Sequence, residues 1–126
     1  MPSRKKEKDM TVFVVQEQQR YDHRLKKLVP KYPDVEKKAS EFGKVEYLLS
    51  PSAAPWNSEA IVKELENKLQ NFGDDDFLLC IGNPVLIALA AMVAWKLSED
   101  GNVNFLQWSG KDKTYVTVNT SVEDGN

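Results

Sequence analysis

The chain has one cysteine and one histidine in 126 residues, and these two scarcities remove several chemistries at once. A lone Cys80 cannot form an internal disulfide, and no zinc site with paired cysteine spacing can be assembled. His23 is the sole imidazole, and no Gly-x-Ser-x-Gly elbow occurs, so no nucleophile and base nominate themselves for a catalytic triad. Glycine is sparse as well. The six glycines fall in neither the spacing of a Walker loop nor that of a dinucleotide fingerprint. No catalytic residue, cofactor or metal is expected from these patterns.

Uninterrupted apolar sequence is also missing. Residues 77–95 come closest to a membrane span, but Gly82-Asn83-Pro84 divides them into pieces too short to cross a bilayer. They read as a buried strand followed by a buried helix. No apolar segment follows Met1-Pro2-Ser3-Arg4-Lys5-Lys6, so the expectation is a cytoplasmic protein without a secretory leader.

Charge of both signs is plentiful but unevenly placed. Residues 1–45 carry 12 Lys or Arg against 7 Asp or Glu, and the remainder 5 against 12. A basic segment joined to an acidic body suits contact with nucleic acid, an acidic protein or a membrane surface. Residues 1–9 read as a disordered basic arm, 10–122 as one domain and 123–126 as a disordered tail. The length leaves no room for a second domain.

Within the domain, Thr11–Gln16 is a β-branched and aromatic run suited to a strand buried on both faces. Residues 17–44 form a polar, basic excursion, in which Pro30 and Pro33 would end any helix begun over Tyr21–Leu28, leaving one or two short helical turns. Val45–Leu49 reads as a second strand. Residues 50–56, with Pro51 and Pro55, read as a loop. Asn57 or Ser58 can cap a helix whose Ile61, Val62, Leu65 and Leu69 share one stripe, with Gly73 placed to end it. Phe77–Ile81 reads as a central strand with Cys80 buried inside it. Asn83 caps and Pro84 opens a helix reaching Ser98, apolar nearly all round, in which Ala88, Ala91 and Ala94 would allow close approach to the sheet. Val103–Trp108 and Thr114–Val118 complete a hairpin. Helix 84–98 is long enough for a right-handed crossover, so the strands on either side of it are parallel. The fold class is α/β: a single small domain with a mixed sheet of about five strands, in the order β-β-α-β-α-β-β, under helical cover.

Three places invite a functional reading. In the excursion, Arg20, Arg24, Lys26, Lys27 and Lys31 interleave with Tyr21 and Tyr32, a pattern able to contact phosphates and to stack on bases, although a solvated insertion is the structural reading. Trp56 could anchor a partner, although packing under its own loop is the structural reading. The turn Gly82-Asn83 stands where a strand ends and a helix begins, a common anion site, but Pro84 removes a donor and Asn83 is suited to capping. Asp74-Asp75-Asp76 resembles a site for a hard cation. It lacks the alternating ligand pattern of a calcium loop and would lie about 15 Å from the Gly82 turn, so it reads as a solvated loop.

The runs Thr11-Val12-Phe13-Val14-Val15-Gln16-Glu17, Asp74-Asp75-Asp76-Phe77-Leu78-Leu79-Cys80-Ile81-Gly82-Asn83-Pro84 and Leu106-Gln107-Trp108 together resemble a group of small, mostly uncharacterised accessory proteins of tailed phages, marine cyanophage-like ones included. In that group the turn often reads Gly-Asp-Pro and the last hairpin carries Leu-Lys-Trp, whereas here Asn83 and Gln107 stand in those places. The resemblance covers residues 10–20 and 55–118 and implies a phage origin without an activity.

With no catalytic groups in view and a charged, tyrosine-bearing excursion, the leading expectation is a non-enzymatic accessory protein that binds a host or viral macromolecule in the host cell cytoplasm. A small phosphate- or nucleotide-binding α/β domain and a virion structural component are the alternatives. The expected partner is a protein, with nucleic acid as an alternative and no membrane, and the apolar helix 84–98 further suggests a homodimer.

Overall fold

The computed structural model describes residues 10–122; the expected arm 1–9 and tail 123–126 lie outside the described residues. Along the chain run β1 (Thr11–Gln16), β2 (Gln19–Asp22), β3 (Lys27–Pro30), α1 (Asp34–Ala39), β4 (Lys44–Leu49), α2 (Ser58–Leu69), β5 (Phe77–Leu79), α3 (Pro84–Leu97), β6 (Asn102–Ser109) and β7 (Thr114–Ser121). Five strands form one mixed sheet in the spatial order β4-β1-β5-β6-β7. β1 pairs in parallel with both β4 and β5, β5 in parallel with β6, and β7 returns antiparallel to β6. The α/β class and the mixed sheet of five strands are those indicated by the residues.

β1 is buried along its whole length because helices cover both faces of the sheet at its centre. Side chains alternate between faces along a strand. Phe13 and Val15 share one core with Ile61, Leu65 and Leu69 of α2 and with Leu86, Ala90, Val93 and Ala94 of α3. Val12 and Val14 share the other with Val35 and Ala39 of α1, Leu79, Leu106 and Tyr115. Each fully buried leucine contributes about 1.5–3 kcal/mol, so α2 is held by its stripe and not by its cap: Asn57 occupies the N-cap position without a side-chain cap bond. That corrects the capping role read for Asn57. Gly73 does not terminate α2 either, since the helix ends at Leu69. In α3 the residues that approach the sheet are Ala90 and Ala94, while Ala88 is exposed.

The excursion is the largest correction. Tyr21–Leu28 is not helical: residues 19–30 form an antiparallel hairpin, the separate two-stranded sheet β2-β3. Pro33 precedes a helix, α1, and does not end one, as its fixed φ permits at a helix start. Parallel pairing of β1 with β4 requires a crossover, and the excursion supplies it on the face opposite α2 and α3. It therefore does not cover α3.

At the edge where β1 and β5 begin, Asp76 is fully buried. Its Oδ1 accepts from the Thr11 N–H at 3.0 Å and its Oδ2 from the Gly73 N–H at 2.9 Å. The solvated-loop reading holds for exposed Asp74 but fails for Asp76, a carboxylate that ties the turn before β5 to the start of β1. No helix among the described residues is long and apolar enough to cross a membrane.

Candidate functional site

Because β1, β4, β5 and β6 run in one direction, the segments that follow them gather at one edge of the sheet. They are the hairpin after β1, the loop 50–57 after β4, the turn 80–83 after β5 and the turn 110–113 after β6. The residues singled out in the sequence for interaction or anion binding lie in these segments, apart from Lys31 and Tyr32, which directly follow the hairpin. Asp74–Asp76 lie at the opposite edge.

The hairpin pairs Arg20 with Val29, Tyr21 with Leu28 and Asp22 with Lys27, and its tip is His23-Arg24-Leu25-Lys26. Asp22 shapes the tip. Its Oδ1 accepts from the N–H groups of Arg24 at 2.8 Å and Leu25 at 2.9 Å, an Asx-type turn, and Lys26 takes a left-handed φ of 55°. Directly opposed residues share a face, so the hairpin is two-sided. One side carries Tyr21 and Leu28, with His23 edge-on to the Tyr21 ring at 5.0 Å. The other carries Arg20, Asp22 and Lys27, with Arg20 and Asp22 3.8 Å apart. Leu25 and Leu28 are 59% and 60% exposed, and sequence reasoning overlooked both. Lys31 and Tyr32 follow at the base, where the Lys31 N–H donates to the Gln18 carbonyl at 2.9 Å. Residues 19–31 hold five cations and one carboxylate.

Beside that base lies a cleft of about 570 Å³. α1 is only six residues long, so it cannot roof its whole face of the sheet. The space between its N-terminal end and the β6–β7 hairpin stays open. Tyr32, Trp108 and Tyr115 wall this cleft, Ile81 and Gly82 line it, and Lys31 and Cys80 stand at it. Trp108 and Tyr115 are directly opposed in the β6–β7 ladder and meet edge to face at 5.1 Å; the Lys31 ammonium lies 5.5 Å from the centre of the Tyr32 ring. Cys80 is exposed and not buried in a strand, because pairing of β5 ends at Leu79. Desolvation by the protein around it pushes its thiol pKa up, away from the depressed values of reactive cysteines. Trp56 is 82% exposed, so its indole projects from the 50–57 loop and is not packed beneath it.

Doubly wound sheets commonly bind ligands where the strand order reverses, which here is between β1 and β5. Gln16 fills that point. Its Nε2 donates to the carbonyls of Ser50, Ala53 and Pro51 at 3.1, 3.3 and 3.4 Å, and its Oε1 accepts from the Asn83 N–H at 2.9 Å. Gly82 leaves room for it: with φ at +131°, a Cβ there would stand 2.5 Å from the Gln16 Cβ. Asn83 in turn caps α3, its Oδ1 accepting from the N–H groups of Val85 at 2.8 Å and Leu86 at 3.3 Å. The N–H groups of Asn83, Val85 and Leu86, which an anion would use at this turn, are engaged by the chain's own side-chain amides.

The architecture defines a small doubly wound α/β domain with a projecting hairpin at the C-terminal edge of its parallel strands. Residues 10–122 match the family described as Phage Pam3 gp32-like protein, and the chain belongs to that family. Comparison with curated proteins and with solved structures found no match.

Proposed function

We propose that this phage protein is a non-enzymatic accessory factor that docks on an acidic face of a host or viral protein in the host cytoplasm. The β2–β3 hairpin makes the contact, and the aromatic cleft at its base receives a partner side chain. The observation that carries this reading is the hairpin itself. An isolated two-stranded hairpin is marginal on its own, yet this one exposes Tyr21, Leu25 and Leu28 beside Arg20, Arg24, Lys26 and Lys27. Apolar anchors on a hairpin with an excess of positive charge suit an acidic protein surface: the charges guide encounter and the anchors hold the complex. The closed switch point, occupied by Gln16, favours this reading over a nucleotide-binding one.

The test is affinity capture from infected-cell lysate with the full chain and with the variant R20E/R24E/K26E/K27E. All four positions are exposed, so the fold should persist. A protein retained by the parent, lost by the variant and released by moderate salt is the expected result. The same proteins captured by both forms would overturn the proposal, as would capture abolished by nuclease, which would transfer the hairpin to nucleic acid.

A further inference from the structure

We propose that β7 is the subunit contact of a two-fold homodimer, in which the β7 strands of two copies pair antiparallel and join two five-stranded sheets into one. This rests on the sheet edge alone and is independent of what the hairpin binds.

β7 ends the strand order of the sheet. It is eight residues long, Thr-Tyr-Val-Thr-Val-Asn-Thr-Ser, and it pairs with β6 residue for residue from Thr114 to Ser121 without a bulge. Its far end is fastened: the Val122 N–H donates to the Gly101 carbonyl at 3.1 Å, and the Trp95 Nε1–H to the Val122 carbonyl at 2.7 Å. The strand is thus long and regular, and it contains no charged residue and no proline. Edges of that kind pair with other strands unless they are guarded by charge, proline or bulges. The opposite edge is guarded. β4 carries Lys44 and Glu46, 3.4 Å apart, among its six residues.

The occupant is a second copy of this chain. A neutral strand gives a charged partner nothing to read, while self-pairing brings no like charges face to face. The side chains also match themselves. Val116 and Val118 point to one face and are 40% and 45% exposed. Opposed residues of a two-fold antiparallel pair share a face, so Thr117 on the axis sits opposite the partner's Thr117. In that register Val116 opposes the partner's Val118, and Val118 opposes the partner's Val116. Two Val–Val pairs and a Thr–Thr pair are the kinds of cross-strand contact that stabilise a ladder.

Sedimentation of the full chain from low to high micromolar concentration should show a monomer–dimer equilibrium. V116E and V118K should each weaken it by roughly tenfold, because each change disturbs both symmetric pairs. Both residues are exposed, and unchanged circular dichroism would verify the fold. The chain carrying V116E/V118K together should recover most of the affinity, since each new carboxylate then faces a new ammonium across the axis. A parent that remains monomeric throughout overturns the proposal. So does a dimer indifferent to either single change, or a double variant no tighter than the singles.

Discussion

Asn83 and Gln16 stand next to each other at the end of the sheet, and they differ in how far their partners lie along the chain. Asn83 caps the helix that begins beside it, so its role can be read from Asn-Pro ahead of an apolar run. Asn83→Ala should cost about 0.5–2 kcal/mol. Asn83→Asp should cost little, because aspartate caps equally well and its charge suits a helix N-terminus. Thermal unfolding of both variants checks the pair, and an aspartate variant as destabilised as the alanine one would count against capping. Gln16 is the reverse case. It ends a buried strand, and its amide partners lie 34 to 67 residues away, so nothing near it in the chain announces its task. Gln16→Glu removes the donor from three carbonyls and should lower stability by about 2 kcal/mol in urea unfolding; a variant as stable as the parent would show that the amide does not hold this junction.

At the level of elements, β1, β5 and α3 were legible because continuous apolar runs bounded by Gly, Pro or Asp leave few alternatives. The β2–β3 hairpin was not. Its strands have four residues each, and its tip lacks the Asn-Gly or Asp-Gly signal of tight hairpins; Lys26 takes the left-handed position without glycine. The make-up of the cleft was hidden for a related reason. Trp108 and Tyr115 become a pair only once the register across the 110–113 turn is known, and Cys80 becomes exposed only because strand pairing stops one residue earlier. Since the Lys31 N–H already meets the Gln18 carbonyl at the hairpin base, the chain can be closed there. Replacing residues 19–30 by a short Gly-Ser turn should leave stability within about 0.5 kcal/mol, as expected for an exposed segment outside the core. A large fall in chemical-denaturation stability would mean that the hairpin is part of the fold and not an appendage.

At the scale of the whole molecule, two pKa shifts among the described residues act in the same direction. Burial raises the Tyr115 phenol above its ordinary 10.0, and desolvation raises the Cys80 thiol above its ordinary 9.0. In each case the folded protein holds its proton more tightly than the unfolded chain. Between the ordinary and the raised value the unfolded state has therefore lost more protons, and stability falls as pH rises. Both contributions are complete below about pH 8.5 and decline through the alkaline range above it. Urea unfolding from neutral to strongly alkaline pH should show that decline, and Tyr115→Phe with Cys80→Ala should flatten it. A fall as steep in the double variant as in the parent would assign the effect to other groups.

The parallel run of β1, β4, β5 and β6 puts the hairpin at a single end of each subunit, and two-fold pairing through β7 reverses one subunit relative to the other. The two hairpins of such a dimer point away from each other, at opposite ends of the joined sheet. They cannot grip one flat target together, so a lone partner surface would gain no avidity from dimerisation. Such a dimer would form a crosspiece, holding two partner molecules apart at a fixed separation and in opposed orientation.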